Sequence, residues 1–365
     1  MIMTTTSSSP LLHAISSDLE IKPLERKYFA QATEHLDNLT KPIGSLGRLE
    51  ELAKHIYALQ GGKTPLAITP ALMYTVAGDH GVAKEGVSAY PQEVTRQMVE
   101  NFLQGGGGIN ILCRESDLAL CLVDGGCVGG PFPQSSLLLD RRLGDGTNDF
   151  SKTKAMSREQ ALQGLRSGVE LAREAAFSGC QCLGVGEMGI GNTTSATALF
   201  SAYLGFAPAE ITGPGTGLDQ ERLKHKIAII EQGLTLHSET IRNGDAIDIL
   251  AALGGFEIAI MAGIMLGGAA EHLLILVDGF ISTSAYVVAR AIARELSDYI
   301  ILTHSSAEPG FKIIADDLKC KPLLDFGLRL GEGTGAALAF PLIKAATAIF
   351  NDMATFDGAG VSRSK

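Results

Sequence analysis

Apolar residues recur at spacings of three and four through residues 24–39 (LERKYFAQATEHLDNL), which predicts an amphipathic helix within a helical stretch of about residues 19–60. The turn-forming run TKPIGSLG at 40–47 interrupts it, and RLEELAKHIYAL at 48–59 restarts a helix. Gly61, Gly62 and Pro65 read as a linker. From about Leu66 the texture changes to apolar runs of strand length, each followed by a glycine-rich loop and then a helical pattern. The runs are ALMYTVAG (71–78), LALCLVDGG (118–126), CQCLGVG (180–186), LLILVDG (273–279) and YIILTHSS (299–306). Helical patterns follow at 92–104, 157–179 and 195–205. Near-continuous apolar strands alternating with helices predict a parallel sheet covered on both faces, an α/β fold of Rossmann-like type. From about Arg329 the pattern is helical again, and Pro341 is expected to kink that helix in the turn before it. The two helical ends are expected to form one discontinuous small domain, residues 19–62 with 330–365, beside a large α/β domain at 63–329. Residues 1–18 are Ser/Thr-rich, lack Lys and Arg, and read as a flexible tail.

Composition narrows the function. In 365 residues, 45% hydrophobic and 19% charged, there is ample material for a large core. The net charge of −10, the scattered Lys and Arg and the absence of Trp argue against a nucleic-acid partner. The six cysteines form no C-x-x-C pair, so neither a zinc site nor a disulfide framework is expected, and a reducing, cytoplasmic compartment is. The most apolar run, residues 258–270 between Glu257 and Glu271, is shorter than the roughly 20 residues a spanning helix needs, so no membrane partner is expected. Its Gly263 and Gly267 spacing suits close helix packing in a core; a packed subunit interface from GIMLG and the apolar helical ends is the other use considered.

Polar residues gather just past the ends of the predicted strands: Asp79 and His80, Asp124, Glu187, Asp278, and His304 with Ser305 and Ser306. In open parallel sheets ligands bind beyond those ends, so the repetition predicts one active-site edge. The two histidines read as hydrogen-bonded strand-end residues, not as a metal pair. Gly189, Gly191, Asn192, Thr193 and Thr194 form a glycine loop opening a helix, which suits either an anion or simple helix capping. A second glycine loop at 212–219 carries Gly215, with Lys226 in the helix beyond it, and 303–310 adds small hydroxyls. Three such loops on one edge favour a phosphorylated substrate. No G-x-x-x-x-G-K-[ST] run, no dinucleotide fingerprint and no strand ending in paired acids is present. Glu332 lies among Gly331, Gly333 and Gly335, ahead of a long apolar helix. Burial there raises a carboxylate's pKa toward general-base use, whereas a helix start lowers it, and the sequence leaves that contest open.

Eight segments in this order carry a resemblance: 36–42, 44–50, 77–95 (AGDHGVAKEGVSAYPQEVT), 184–194 (GVGEMGIGNTT), 253–263, 277–282, 303–308 (THSSAE) and 329–339 (RLGEGTGAALA). Together they resemble the nicotinate-nucleotide:dimethylbenzimidazole phosphoribosyltransferase family across most of residues 36–353. The resemblance implies transfer of a 5-phosphoribosyl group from nicotinate mononucleotide to 5,6-dimethylbenzimidazole, with no metal and no cofactor. It implies a large parallel-sheet domain, a small domain from both chain ends, and a homodimer. It places the catalytic base at Glu332 and a second acid at Glu187. It also implies an apolar acceptor-base pocket near Tyr90, Met98, Met188 and Leu330. A small polar residue and a glutamine stand at the positions of Tyr90 and Met98 in the family's enterobacterial members. The phosphate and ribose are then expected against Gly189, Gly191, Asn192, Thr193, Thr194, Gly215, Lys226, Asp278, Ser305 and Ser306. A non-catalytic nucleotide binder, or a phosphoribosyltransferase or nucleosidase with another acceptor, are the competing readings.

Overall fold

The computed structural model describes residues 10–215 and 217–362. Six parallel strands, β1 (Ala71–Gly78), β2 (Ala119–Gly126), β3 (Leu138–Asp140), β4 (Cys182–Met188), β5 (Leu274–Val277) and β6 (Ile300–Leu302), lie in the order β3-β2-β1-β4-β5-β6. The order reverses between β1 and β4, the place where such sheets open a crevice. β1 and β4 pair from Ala71↔Cys182 to Ala77↔Met188 and are buried almost throughout. The short edge strand β3 went unread because Leu138–Asp140 is too brief to show an alternation.

The apolar helix Phe256–Ala270 is buried over its whole length up to Ala269 and lies against Arg158–Phe177. A methyl group at Gly263 would meet Leu165 O at 2.1 Å, and one at Gly168 would meet Ile260 O at 2.1 Å. The glycines therefore let two helix backbones touch inside the core. Gly263, Ile264, Met265, Leu266 and Gly267 are all buried within the chain, which removes the GIMLG interface reading.

The chain ends meet, as backbone bonding records. Thr40 N donates to Ala354 O at 2.9 Å, Phe356 N donates to Asn38 O at 2.9 Å, and the helices Arg48–Leu59 and Thr334–Asp352 pack together. The 40–47 turn is held by a buried Lys41–Glu50 ion pair at 2.8 Å and by Leu46 N donating to Glu50 Oε1. Thr334–Asp352 also packs on the helix Gly108–Ser116, and one apolar core runs from Leu12 through the sheet to Phe350.

The helix Thr334–Asp352 carries Pro341 in its interior and continues past it. Proline removes the N–H that would reach Ala337 O, and Ser116 Oγ donates to that carbonyl instead, at 2.8 Å. The tail expected over residues 1–18 is structured from Pro10, since Pro10–Ile15 is a helix with Leu12 and Ile15 buried. Arg166 fastens its end by donating to Ala14 O and Ile15 O. The rest of that tail, residues 1–9, lies outside the described residues. By length and apolarity Thr334–Asp352 would suffice to cross a membrane, but 56% of its most apolar window is buried in this fold.

Candidate active site

Beyond the C-terminal ends of β1, β4, β5 and β6 lies a cavity of about 670 Å³. Its walls come from the loop and helix after β1 (Val87 to Met98), the β4 loop (Glu187 to Thr193), the start of the helix Phe280–Ile292, His304 to Glu308, and Gly327 to Glu332.

Glu332 enters this cavity from a run of three left-handed residues, with φ of 82° at Gly331, 64° at Glu332 and 98° at Gly333. For a glutamate that conformation is strained by about 1–3 kcal/mol and persists only where neighbours over-determine it. They do so here. Glu332 N donates to Glu187 O at 3.2 Å, and Thr75 Oγ1 on β1 donates to Glu332 O at 2.7 Å. Asp278, one residue past β5, accepts from Gly333 N at 3.0 Å and from Gly335 N at 2.7 Å. The backbone of the glutamate is thus bolted to three strands.

Its carboxylate is buried and accepts from Ile109 N at 3.0 Å, the first turn of Gly108–Ser116. The helix start that stabilises the charge therefore belongs to another helix, not to the one that follows Glu332 in sequence. Burial still wins and raises the pKa, opposed by the Ile109 and Gly108 backbone and assisted by the Asp278 charge. Leu330 is itself 61% exposed at the rim.

Glu187, at the end of β4, is pushed up to about 8, first by burial, then by the charges of Asp278 and Glu257; the Asn192 amide, which donates to its Oε2, opposes this. Near neutral pH it is the protonated acid of the pair. Between about 4.5 and about 8 the folded chain keeps a proton here that the unfolded chain has lost, so this group's contribution to stability falls as pH rises through that window. Glu187→Gln is accordingly expected to gain in melting temperature over the parent as pH climbs from about 4.5 to about 8, and a pH-independent difference would show that Glu187 does not titrate there.

The other expected residues divide. Tyr90, Met98, Met188, Leu330, Gly189, Gly191, Asn192, Thr193, Gly215 and Ser306 line the same cavity as the two glutamates. Thr194, Lys226, Asp278 and Ser305 stand behind or outside the wall. Asp278 has both oxygens occupied by Gly333 and Gly335, and Thr194 is fully buried. Lys226 is buried with its Nζ donating to Thr193 Oγ1 at 2.8 Å; burial lowers its pKa to about 8 against the pull of Glu308. Ser305 faces a separate groove with Lys312 and Lys319, its N–H bonded to Leu324 O at 2.7 Å. His80 is a satisfied strand-end histidine, 3.0 Å from Ser195 Oγ and 2.6 Å from Glu257 Oε1.

Sequence reasoning missed four contributors. Ile109 sits in QGGGGIN, a glycine run before an apolar helix that could have flagged a helix start. Glu308 and Arg329 line the wall from the ends of the THSSAE and RLGEGTGAALA segments without having been given a role, and His304 was assigned no ligand role.

A family model described as phosphoribosyltransferase matches residues 21–361. Nicotinate-nucleotide–dimethylbenzimidazole phosphoribosyltransferase of Nitratidesulfovibrio vulgaris (strain DP4) is 52% identical over 351 residues, covering 96% of this chain and 98% of that one. The protein of that name from Solidesulfovibrio magneticus is 55% identical over 342 residues, covering 94% and 96%. The crystal structure of the Thermus thermophilus enzyme of that name superposes with a TM-score of 0.87 at 42% identity, covering 93% of this chain and all of that one. By the family model and by relatives matched over nearly their whole length, the chain belongs to the nicotinate-nucleotide–dimethylbenzimidazole phosphoribosyltransferase family.

Proposed function

We propose that this protein transfers the 5-phosphoribosyl group of nicotinate mononucleotide to 5,6-dimethylbenzimidazole, with Glu332 as general base. The observation that carries the reading is the Glu332 carboxylate, buried, held by Ile109 N–H, and opening on the same cavity as the glycine loop Gly189–Thr193. The loop's backbone donors and the hydroxyls of Thr193 and Ser306 suit the phosphate and ribose. Tyr90, Met98, Met188 and Leu330 suit a flat apolar acceptor.

One ring nitrogen of the benzimidazole attacks C1′. The C1′–N bond to nicotinate breaks, its electron pair returns to the pyridine ring, and nicotinate leaves neutral at nitrogen. The proton on the acceptor's other nitrogen passes to the Glu332 carboxylate. Attack from the face opposite nicotinate gives the α-ribotide. Glu332 suits the base role better than Glu187, because two backbone donors favour its ionised form while Glu187 holds its proton near neutral pH.

Exposed Tyr90 and Leu330 at the cavity rim support a homodimer in which a second copy covers them, and the pairing of the chain ends supports residues 19–62 with 330–365 as one helical unit. Six free cysteines support a reducing, cytoplasmic setting. A panel of benzimidazoles and purines offered with nicotinate mononucleotide, with products identified by mass spectrometry, tests the function. A ribotide with 5,6-dimethylbenzimidazole is expected; no ribotide with any base would leave the non-catalytic binder.

A further inference from the structure

Thr95 lies in the first turn of the helix Val94–Leu103 and is fully buried. Val94 and Met98 of that helix line the cavity, as does Ile190 in the glycine loop after β4; Thr95 itself does not. Ile190 N donates to Thr95 Oγ1 at 3.0 Å, which ties the helix to the loop. The threonine hydroxyl in turn faces the Asp79 carboxylate just past β1, where burial raises the pKa of the acid, opposed by the Val128 N–H and then by this hydroxyl. Asp79 Oδ2 accepts from Val128 N at 2.8 Å, and Oδ1 has no partner elsewhere among the described residues. The Asp79 backbone is itself fixed, with Asp79 N donating to Gly126 O at 3.2 Å and Thr147 N donating to Asp79 O at 2.9 Å.

One hydroxyl thus joins three elements: the helix Val94–Leu103, the glycine loop and the end of β1. The loop is also pressed on β1 directly, since a methyl group at Gly189 would lie 2.4 Å from Gly78 O. Thr95 and Ile190 are 0% and 5% exposed, so losing their bond leaves an N–H and a carboxylate oxygen short of partners in a dry place. We propose that Thr95 is a positioning residue of the transfer reaction: by fixing the helix of Val94 and Met98 against the loop Gly189–Thr193, it sets the distance between the acceptor base and C1′ of the donor nucleotide. The inference rests on the transfer proposed above, with the nucleotide on the glycine loop and the acceptor beside Met98. Rate depends steeply on such spacing, about 10²-fold for a misplacement of about 1 Å. The affinity of the nucleotide for its own loop does not depend on where the facing helix stands.

Thr95→Val keeps the shape of the side chain and removes the hydroxyl, whereas Thr95→Ser keeps the hydroxyl and removes the methyl. Ribotide formation by the full chain at saturating nicotinate mononucleotide and 5,6-dimethylbenzimidazole gives kcat. Calorimetric titration with the mononucleotide alone gives Kd, and melting curves report folding. Thr95→Val is expected to lower kcat roughly 10–100-fold while Kd stays close to wild type. Thr95→Ser is expected to recover most of kcat, because the bond from Ile190 N returns. Where Thr95→Val does not fold, Thr95→Ala takes its place, since the space it opens admits a water to Ile190 N–H and Asp79; the same fall in kcat with nucleotide binding kept is expected. Unchanged kcat in a folded variant without the hydroxyl would overturn the proposal. So would a loss in Thr95→Ser as large as in Thr95→Val, or a loss of nucleotide affinity as large as the loss of kcat. Failure of the wild type to form any ribotide would instead refute the transfer reading.

Discussion

Glu332→Gln is expected to lower kcat by about 10²–10⁴-fold while leaving the fold and the binding of nicotinate mononucleotide intact. Glutamine has the shape of glutamate, and its carbonyl oxygen can accept from Ile109 N as the carboxylate does at 3.0 Å. The backbone anchors from Thr75 and Asp278 do not involve the side chain that changes. What disappears is the group that takes the acceptor's proton. Steady-state kinetics with melting curves and nucleotide titration separate these effects. Near-normal turnover would remove Glu332 from the base role and turn attention to Glu187.

The second large effect concerns a residue with no chemistry of its own. Gly186 lies within β4, where an alanine backbone is tolerated, but a methyl group there would sit 2.3 Å from Gly333 N and Cα and 2.6 Å from Glu332 C. These are backbone atoms tied to Asp278 and Thr75, so they have little freedom to yield. Gly186→Ala must push the Glu332 loop away from the sheet. The overpacking is expected to cost about 1–3 kcal/mol of stability, and misplacing the base by about 1 Å about 10²-fold in turnover. Gly184→Ala is the comparison, since its methyl would meet the buried Met73 thioether at 2.4 Å, and Met73 in turn lies against Gly333. Equal loss of activity in both variants would mean that the loop is disturbed no more through direct backbone contact at Gly186 than through Met73.

Much of the fold was legible because buried parallel strands leave continuous apolar runs, as in Ala71–Gly78 and Leu274–Val277. The edge on which the cavity opens was legible because Glu187, Asp278 and His304 lie at or just past the ends of β4, β5 and β6. What the residues do there was harder to read. Asp278 follows β5 as a ligand residue would, yet both its oxygens serve Gly333 and Gly335, 55 and 57 residues away. The balance of charge and burial at Glu332 depends on Ile109, 223 residues distant, whose N–H no local pattern could assign to it. Leu330 is two residues from Glu332, but the left-handed run between them breaks any periodicity that would place both on one buried face. Pro341 leaves the Ala337 carbonyl without its helical donor, and the hydroxyl that takes its place comes from Ser116, far off in sequence.

The configuration of the product tests the account's central claim most directly. Incubating the protein with nicotinate mononucleotide and 5,6-dimethylbenzimidazole, and determining the anomeric configuration of the ribotide by NMR, should give the α-anomer with one nicotinate released per ribotide formed. A β-ribotide, or ribose 5-phosphate released without transfer, would contradict displacement at C1′ by an acceptor whose proton Glu332 removes.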